Sequence, residues 1–390
     1  MRPHKRAAAF SSIIIAAVAI TIYPSCPAYA DKVRETQWHV GYLQLAQAHR
    51  ITKGAGVTVA VADTGVYPHK DLAKNLKKGI DTVPGGNGTG QLDENGHGTQ
   101  MAGLIAGHGR NTDDGIIGIA PSANLVPIKS AGAIDRGPGL EPGIKWAAES
   151  GADVINVSAA TIASRAMNEA IAAAIRADAV VVAGSGNKSK NLTFGFPAAI
   201  PEVLAVGAID RNGKVADFSV TGSKVGICAP GEDIVSADRN DQYYKGSGTS
   251  NSTAIVSGAA ALVRAKFPEL SAPEVIHRLT ATATDNGPPG RDDECGYGVL
   301  NIVKALTADV PPLNAPGGTG SAAPTVSSSP AGSSAPAGTG SSVDAAPPSE
   351  PSSSNLPAIA GIGGAVLAVG AILALLIRRQ RRSSPQAPPS

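Results

Sequence analysis

From residue 56 onward two kinds of segment alternate. Short β-branched runs with apolar side chains on both faces, at 57–62, 125–128, 154–157, 179–183 and 203–206, separate longer alanine-rich segments at 97–107, 140–150, 164–177, 250–266 and 272–283. Runs of the first kind read as strands buried on both faces. The longer segments read as helices, and Ser271 with Glu274 three residues on, plus Pro273 in the first turn, makes a capping box for the last of them. Strands alternating with helices build a parallel sheet covered on both sides, so the expected fold is α/β with three layers. Chemistry in such sheets gathers at the carboxyl ends of the strands.

Three segments place a reactive side chain at such an end or at a helix start. The run 57–62 leads straight into Asp63, Thr64 and Gly65. His97 stands between Gly96 and Gly98 where the helical segment 97–107 begins. Ser250 follows Gly246, Ser247, Gly248 and Thr249 at the start of the long small-residue helix. Glycines let backbone approach backbone, and the first N–H groups of a helix are free to meet an oxyanion. Singly, each feature has an ordinary explanation as a turn or cap; together, in the order Asp, His, Ser, they are far less ordinary. Outside the motif, His39, His49, His69, His108 and His277 read as surface or structural residues. Gly184, Ser185 and Gly186 after a strand are half of a dinucleotide fingerprint, but Ser189 stands where its third glycine belongs and 192–197 cannot open the required helix.

Charge excludes one class of partner and locates the ends. Charged side chains make up 16% of the chain, against roughly 25% in soluble domains. Residues 31–307 hold 26 basic and 28 acidic groups, net −2, so the +2 of the whole chain comes from its ends. The globular part has no basic surplus to neutralise phosphates, which argues against nucleic acid. Arg2, Lys5 and Arg6, an uncharged stretch, Pro24 and the small residues Ala28 and Ala30 make residues 1–30 a secretory signal peptide. Residues 308–355 are rich in Pro, Ser, Ala and Gly and read as a tether. The next 22 residues, 356–377, carry no charge, long enough at roughly 1.5 Å per residue to span a ~30 Å hydrocarbon layer. Arg378, Arg379, Arg381 and Arg382 follow it, which puts 378–390 in the cytoplasm and 31–355 outside.

Cys26 leaves with the signal, and the remaining pair, Cys228 and Cys295, most economically forms one disulfide in an oxidising exterior; two buried free thiols are the alternative. No Cys/His ligand spacing, H-E-x-x-H motif or EF-hand loop supports a metal or other cofactor.

The motifs around Asp63, His97 and Ser250 resemble those of the subtilisin-like serine proteases, and Gly118 to Pro121 and Val154 to Ser158 resemble that family's intervening segments, for coverage of about 35–305. The resemblance implies a subtilisin-like fold over 56–307, with Ser250 as nucleophile, His97 as general base and Asp63 as its orienting carboxylate. It also implies Asn187 as an oxyanion donor and a substrate-binding edge at Ser158 and Ala160. Two departures stand out. Ala254 occupies the position of a usual proline, and Ala160 adds a methyl where a glycine usually lines the pocket. The order of signal, protease, tether, span and basic tail resembles the mycosins, membrane-anchored proteases associated with type VII secretion. That likeness implies a protein or peptide substrate, and an extension at 31–55 that lies along the domain without blocking the site. A structural subunit of a secretion complex, with little or no protease activity, is the alternative reading.

Overall fold

The computed structural model describes residues 33–111, 114–132, 138–188 and 194–313. Seven strands among them form one sheet: β1 (Thr58–Asp63), β2 (Ile80–Asp81), β3 (Asn124–Lys129), β4 (Val154–Val157), β5 (Val180–Gly184), β6 (Leu204–Ile209) and β7 (Ile227–Pro230), in the order β2-β3-β1-β4-β5-β6-β7. Every pairing in it is parallel. A separate antiparallel hairpin joins β8 (Ile234–Ala237) to β9 (Tyr243–Gly246). The helices are α1 (Trp38–Tyr42), α2 (Leu45–Ile51), α3 (His97–Ala106), α4 (Leu140–Glu149), α5 (Arg165–Arg176), α6 (Thr249–Lys266), α7 (Ala272–Ala281) and α8 (Ile302–Thr307).

Alternation along each strand divides the core in two. Val59, Val61, Val154, Val180 and Val182 face the layer built from α3 and α6, together with α2, α7 and α8. Their neighbours Ala60, Ala62, Ile155, Val181 and Ala183 face the other way, onto Ile144 and Ala147 of α4 and Met167, Ile171 and Ala174 of α5. Such two-sided burial is why these strands lack a polar face. The helix α6 is buried almost throughout, from Thr249 to Arg264, and small residues such as Ser257 and Ala260 let it sink against the sheet.

The five sequence-derived strands appear within a few residues of their expected ends. The other four were silent for physical reasons: β2 is two residues long, β7 and β8 are buried runs of only four, and β9 presents Tyr244 and Lys245 to solvent rather than an apolar run. The capping box forms, with Glu274 accepting from the Ser271 N–H at 2.9 Å and hydroxyl at 2.7 Å. Those two bonds hold the Glu274 carboxyl below its usual pKa.

Residues 33–53 dock on the domain by polar contacts and by Leu45 and Ala48, which enter the core. Arg34 donates to the carbonyls of Asp114 and Gly115 at 2.6 and 3.0 Å. Gln37 pairs with the backbone of Ile117 in both directions, and the Trp38 indole N–H donates to the Glu232 carbonyl. Cys228 of β7 is bonded to Cys295 across 67 residues of sequence, a closure worth about 4 kcal/mol in the chain-entropy model.

The expected signal peptide, span and cytoplasmic tail, and the tether beyond residue 313, lie outside the described residues. Among the described residues no helix is long and apolar enough to cross a membrane.

Candidate active site

Asp63 is the last residue of β1 and only 4% exposed. Its Oδ1 accepts from the Thr64 N–H at 2.8 Å and from His97 Nδ1 at 2.7 Å. A carboxylate only accepts, so Nδ1 carries the hydrogen and the neutral ring keeps its lone pair on Nε2, the tautomer a general base requires. The histidine side chain is about one third accessible, at 33%.

Local backbone geometry makes this pairing. His97 opens α3, and its N-cap Gly96 has φ 104°, a region L side chains avoid. One residue later, a Cβ on Gly98 would come within 2.0 Å of the Gly65 carbonyl oxygen, so the start of α3 presses directly on the turn that follows Asp63.

Sequence reasoning missed Asp93. Buried to 4% exposure, it accepts through Oδ1 from the Thr64 hydroxyl (2.9 Å), the Asn95 N–H (3.0 Å) and the Gly96 N–H (2.8 Å), and through Oδ2 from the N–H and hydroxyl of Thr99 at 3.0 and 2.6 Å. Thr64 in turn accepts from the Gly98 N–H at 3.0 Å. One carboxylate therefore ties the turn after Asp63 to the first turn of α3. An acidic residue just ahead of a glycine-flanked histidine at a helix start was the available signal.

The other sequence-derived residues assemble at the start of α6. The β1–β4 register pairs Val61 with Asn156, so two residues further along each strand come Asp63 and Ser158. Ser158 and Ser250 bond reciprocally: the Ser250 hydroxyl donates to the Ser158 carbonyl, and the Ser158 hydroxyl to the Ser250 carbonyl, each at 3.2 Å. Ser250 lies in the first turn of α6, where N–H groups have no carbonyl four residues back. Asn187, three residues past β5, accepts at Oδ1 from the N–H and hydroxyl of Thr249, at 3.0 and 3.2 Å. With the oxygen engaged there, the amide nitrogen is the end offered to a ligand.

Both sequence departures are accommodated. A Cβ on Gly195 would lie 2.6 Å from the Ala160 methyl, so the methyl fills space that a glycine leaves open. Ala254 is fully buried, and α6 runs unbroken through it. The remaining histidines have structural surroundings. His49 Nε2 lies 2.9 Å from the Ile119 carbonyl and His69 Nε2 3.1 Å from that of Gln242. His39 is wholly buried with neither ring nitrogen hydrogen-bonded, and burial lowers its pKa to about 4.

A hydrogen-bonded Asp–His pair, a serine at a helix start and an oriented amide donor are the parts of an acyl-transfer site. Comparison with known proteins points the same way. The subtilase family model matches residues 54–298. Subtilisin BL of Lederbergia lenta is 39% identical over 254 residues, 64% of this chain and 92% of its own length. Among solved structures, the MycP3 protease from the type VII (ESX-3) secretion system superposes with TM-score 0.62 at 34% identity, covering 72% of this chain and 90% of that one. The serine protease MycP1, an essential component of the type VII (ESX-1) secretion system, gives TM-score 0.62 at 34% identity, covering 74% and 91%.

Proposed function

The chain belongs to the subtilase family of serine proteases; from that membership we propose an endopeptidase whose Asp63, His97 and Ser250 form the catalytic triad, and from the signal-like residues 1–30 and the uncharged run 356–377 that it is membrane-anchored and extracytoplasmic. The observation that carries the reading is the 2.7 Å bond between His97 Nδ1 and Asp63 Oδ1, which leaves Nε2 as the base. In the reaction, the Ser250 hydroxyl turns from the Ser158 carbonyl toward Nε2, gives up its proton there and attacks the scissile carbonyl. Asp63 stabilises the imidazolium and holds the ring. The oxyanion is met by the Asn187 amide and the Ser250 N–H. His97 passes the proton to the leaving amine, and water then hydrolyses the acyl-enzyme by the same proton traffic in reverse. The Ser158–Ala160 edge takes the substrate backbone.

The likeness to MycP1 and MycP3 supports a place in type VII secretion, with a protein of that pathway as substrate. In this reading residues 1–30 direct export, 31–55 extend the catalytic domain 56–307, 308–355 give reach, 356–377 span the membrane and 378–390 stay in the cytoplasm. A fluorophosphonate probe should label the wild-type ectodomain at Ser250 and leave Ser250→Ala unlabelled. A folded wild type that takes no label refutes the triad.

One comparison favours a second role beside the first, since MycP1 is an essential component of its secretion system. If the chain also supports a secretion complex structurally, Ser250→Ala preserves secretion while deletion of 356–377 abolishes it. Secretion that survives deletion of 356–377 removes that second role.

A further inference from the structure

We propose that Asn156 is a positioning residue that holds the Ser250 nucleophile through Ser158. The inference rests on the reading of Ser250 as nucleophile given above.

Asn156 is the polar member of β4, whose other residues are Val154, Ile155 and Val157, all buried. Across the sheet its partners are Val61 on β1 and Val182 on β5. With Val154 it shares the row that faces α6. For packing alone, an apolar side chain would serve this position better, because a buried amide is costly unless both ends are bonded. Here both ends are bonded. Oδ1 lies 3.0 Å from the Ser257 hydroxyl, whose single proton it shares with the Thr253 carbonyl at 2.8 Å, and Nδ2 donates to the Ser158 hydroxyl oxygen at 3.1 Å.

The bonds form a polarised chain. The Ser257 hydroxyl divides its proton between the Thr253 carbonyl and the amide oxygen, the amide nitrogen donates to Ser158, the Ser158 hydroxyl donates to the Ser250 carbonyl, and the Ser250 hydroxyl donates to the Ser158 carbonyl. It leaves α6 at Ser257 and returns at Ser250, seven residues earlier, two turns apart on one face of the helix. The end of β4 thus grips α6 at two points and fixes its register along the strand that also carries the substrate-binding edge.

The amide sets the direction of this chain. The Ser158 hydroxyl has a second acceptor, Asn156 Oδ1, at a longer 3.5 Å. Donation from Nδ2 occupies the Ser158 oxygen on that side and leaves its proton for the Ser250 carbonyl. An aspartate of the same shape would reverse the arrangement: its carboxylate accepts from Ser158, and the Ser250 carbonyl loses its donor.

Steady-state kinetics on the folded ectodomain with a fluorogenic peptide test the proposal, using Asn156→Ala, Asn156→Asp, Ser158→Ala, the double variant Asn156→Ala/Ser158→Ala, and Ser250→Ala. Asn156→Ala and Asn156→Asp should lower kcat by about 10- to 100-fold, the scale of a nucleophile displaced by a fraction of an ångström to an ångström, with KM changed less than about threefold. Because Asn156 acts through Ser158, the double variant should be no slower than the slower single one. Ser257 and Ser158 keep acceptors at the Thr253 and Ser250 carbonyls, so Asn156→Ala leaves neither hydroxyl stranded. Should Asn156→Ala fail to fold, Asn156→Asp, equal in volume, carries the test. A kcat within about twofold of wild type in Asn156→Asp overturns the proposal, as do losses that multiply in the double variant. If Ser250→Ala removes activity while the Asn156 variants keep it, this inference alone fails. If Ser250→Ala keeps activity, the nucleophile assignment fails with it.

Discussion

The two halves of the site are held by different physics. Around Asp63 and His97 the hydrogen bonds are charge-assisted: Asp63 takes the imidazole at 2.7 Å, and Asp93 gathers five donors from Thr64, Asn95, Gly96 and Thr99. Around Ser250 the bonds are neutral, running through hydroxyls, amides and carbonyls at 2.8 to 3.2 Å. Charge-assisted bonds are shorter and roughly twice as strong as neutral ones. The difference suits the work of each half. An acid–base pair has to keep one tautomer while a charge appears on it, whereas a nucleophile has to leave its resting acceptor to attack.

Substitutions sharpen that contrast in decreasing order of effect. Asp63→Asn presents a donor where the imidazole needs an acceptor, and kcat should fall by roughly 10⁴-fold with KM little changed; a loss under tenfold in peptide hydrolysis would show that the charged half does not drive proton transfer. In the proposed reaction Asn187→Ala removes the neutral oxyanion donor, and kcat should fall by about 10²- to 10³-fold, a scale set by a protease of this same family. Unchanged kcat there would take Asn187 out of the oxyanion site.

A control lies outside both halves. His39 titrates near 4 when folded and near 6.5 when unfolded, so between those pH values the unfolded chain binds more protons. Its neutral burial thus contributes fully above pH 6.5, and that contribution drains away as pH falls toward 4, by ~3 kcal/mol in all. In His39→Leu, urea unfolding between pH 6.5 and 4 should lose that slope while kcat at pH 8 holds; an unaltered slope assigns the acid sensitivity elsewhere. Smallest is Asp93→Asn, which sets an NH₂ against donors of Thr99 or of Thr64 and Gly96. It should cost about 1 to 3 kcal/mol of stability and lower kcat more than KM, whereas equal stability would mean the loop needs no charge at its centre.

Sequence made the charged half legible because its geometry is local. Asp63 ends an apolar run and His97 begins a helix between glycines, so the position of each along its element could be read directly. Ser250 was legible for the same reason. The supports were not. Asp93 looks like any loop acid until its five donors fold around it, and Asn156 sits inside a segment that reads as a buried strand; its task is defined by Ser250, reached through Ser158 from another part of the chain. The short strands β2, β7, β8 and β9, two to four residues each, were hidden because runs so short are defined by their pairing partners. The two cysteines after residue 30 left a disulfide or two buried free thiols open, and the Cys228–Cys295 bond decides between them.

The central claim is that the charged pair and the neutral nucleophile act as one unit, and single and double substitution measures it directly. Peptide hydrolysis by Ser250→Ala, by His97→Ala and by the combined variant should fall to one common residual rate, because losing either member already disables the other. A double variant slower than both by the product of their separate losses, or a Ser250→Ala that still hydrolyses at the wild-type rate, would contradict the account.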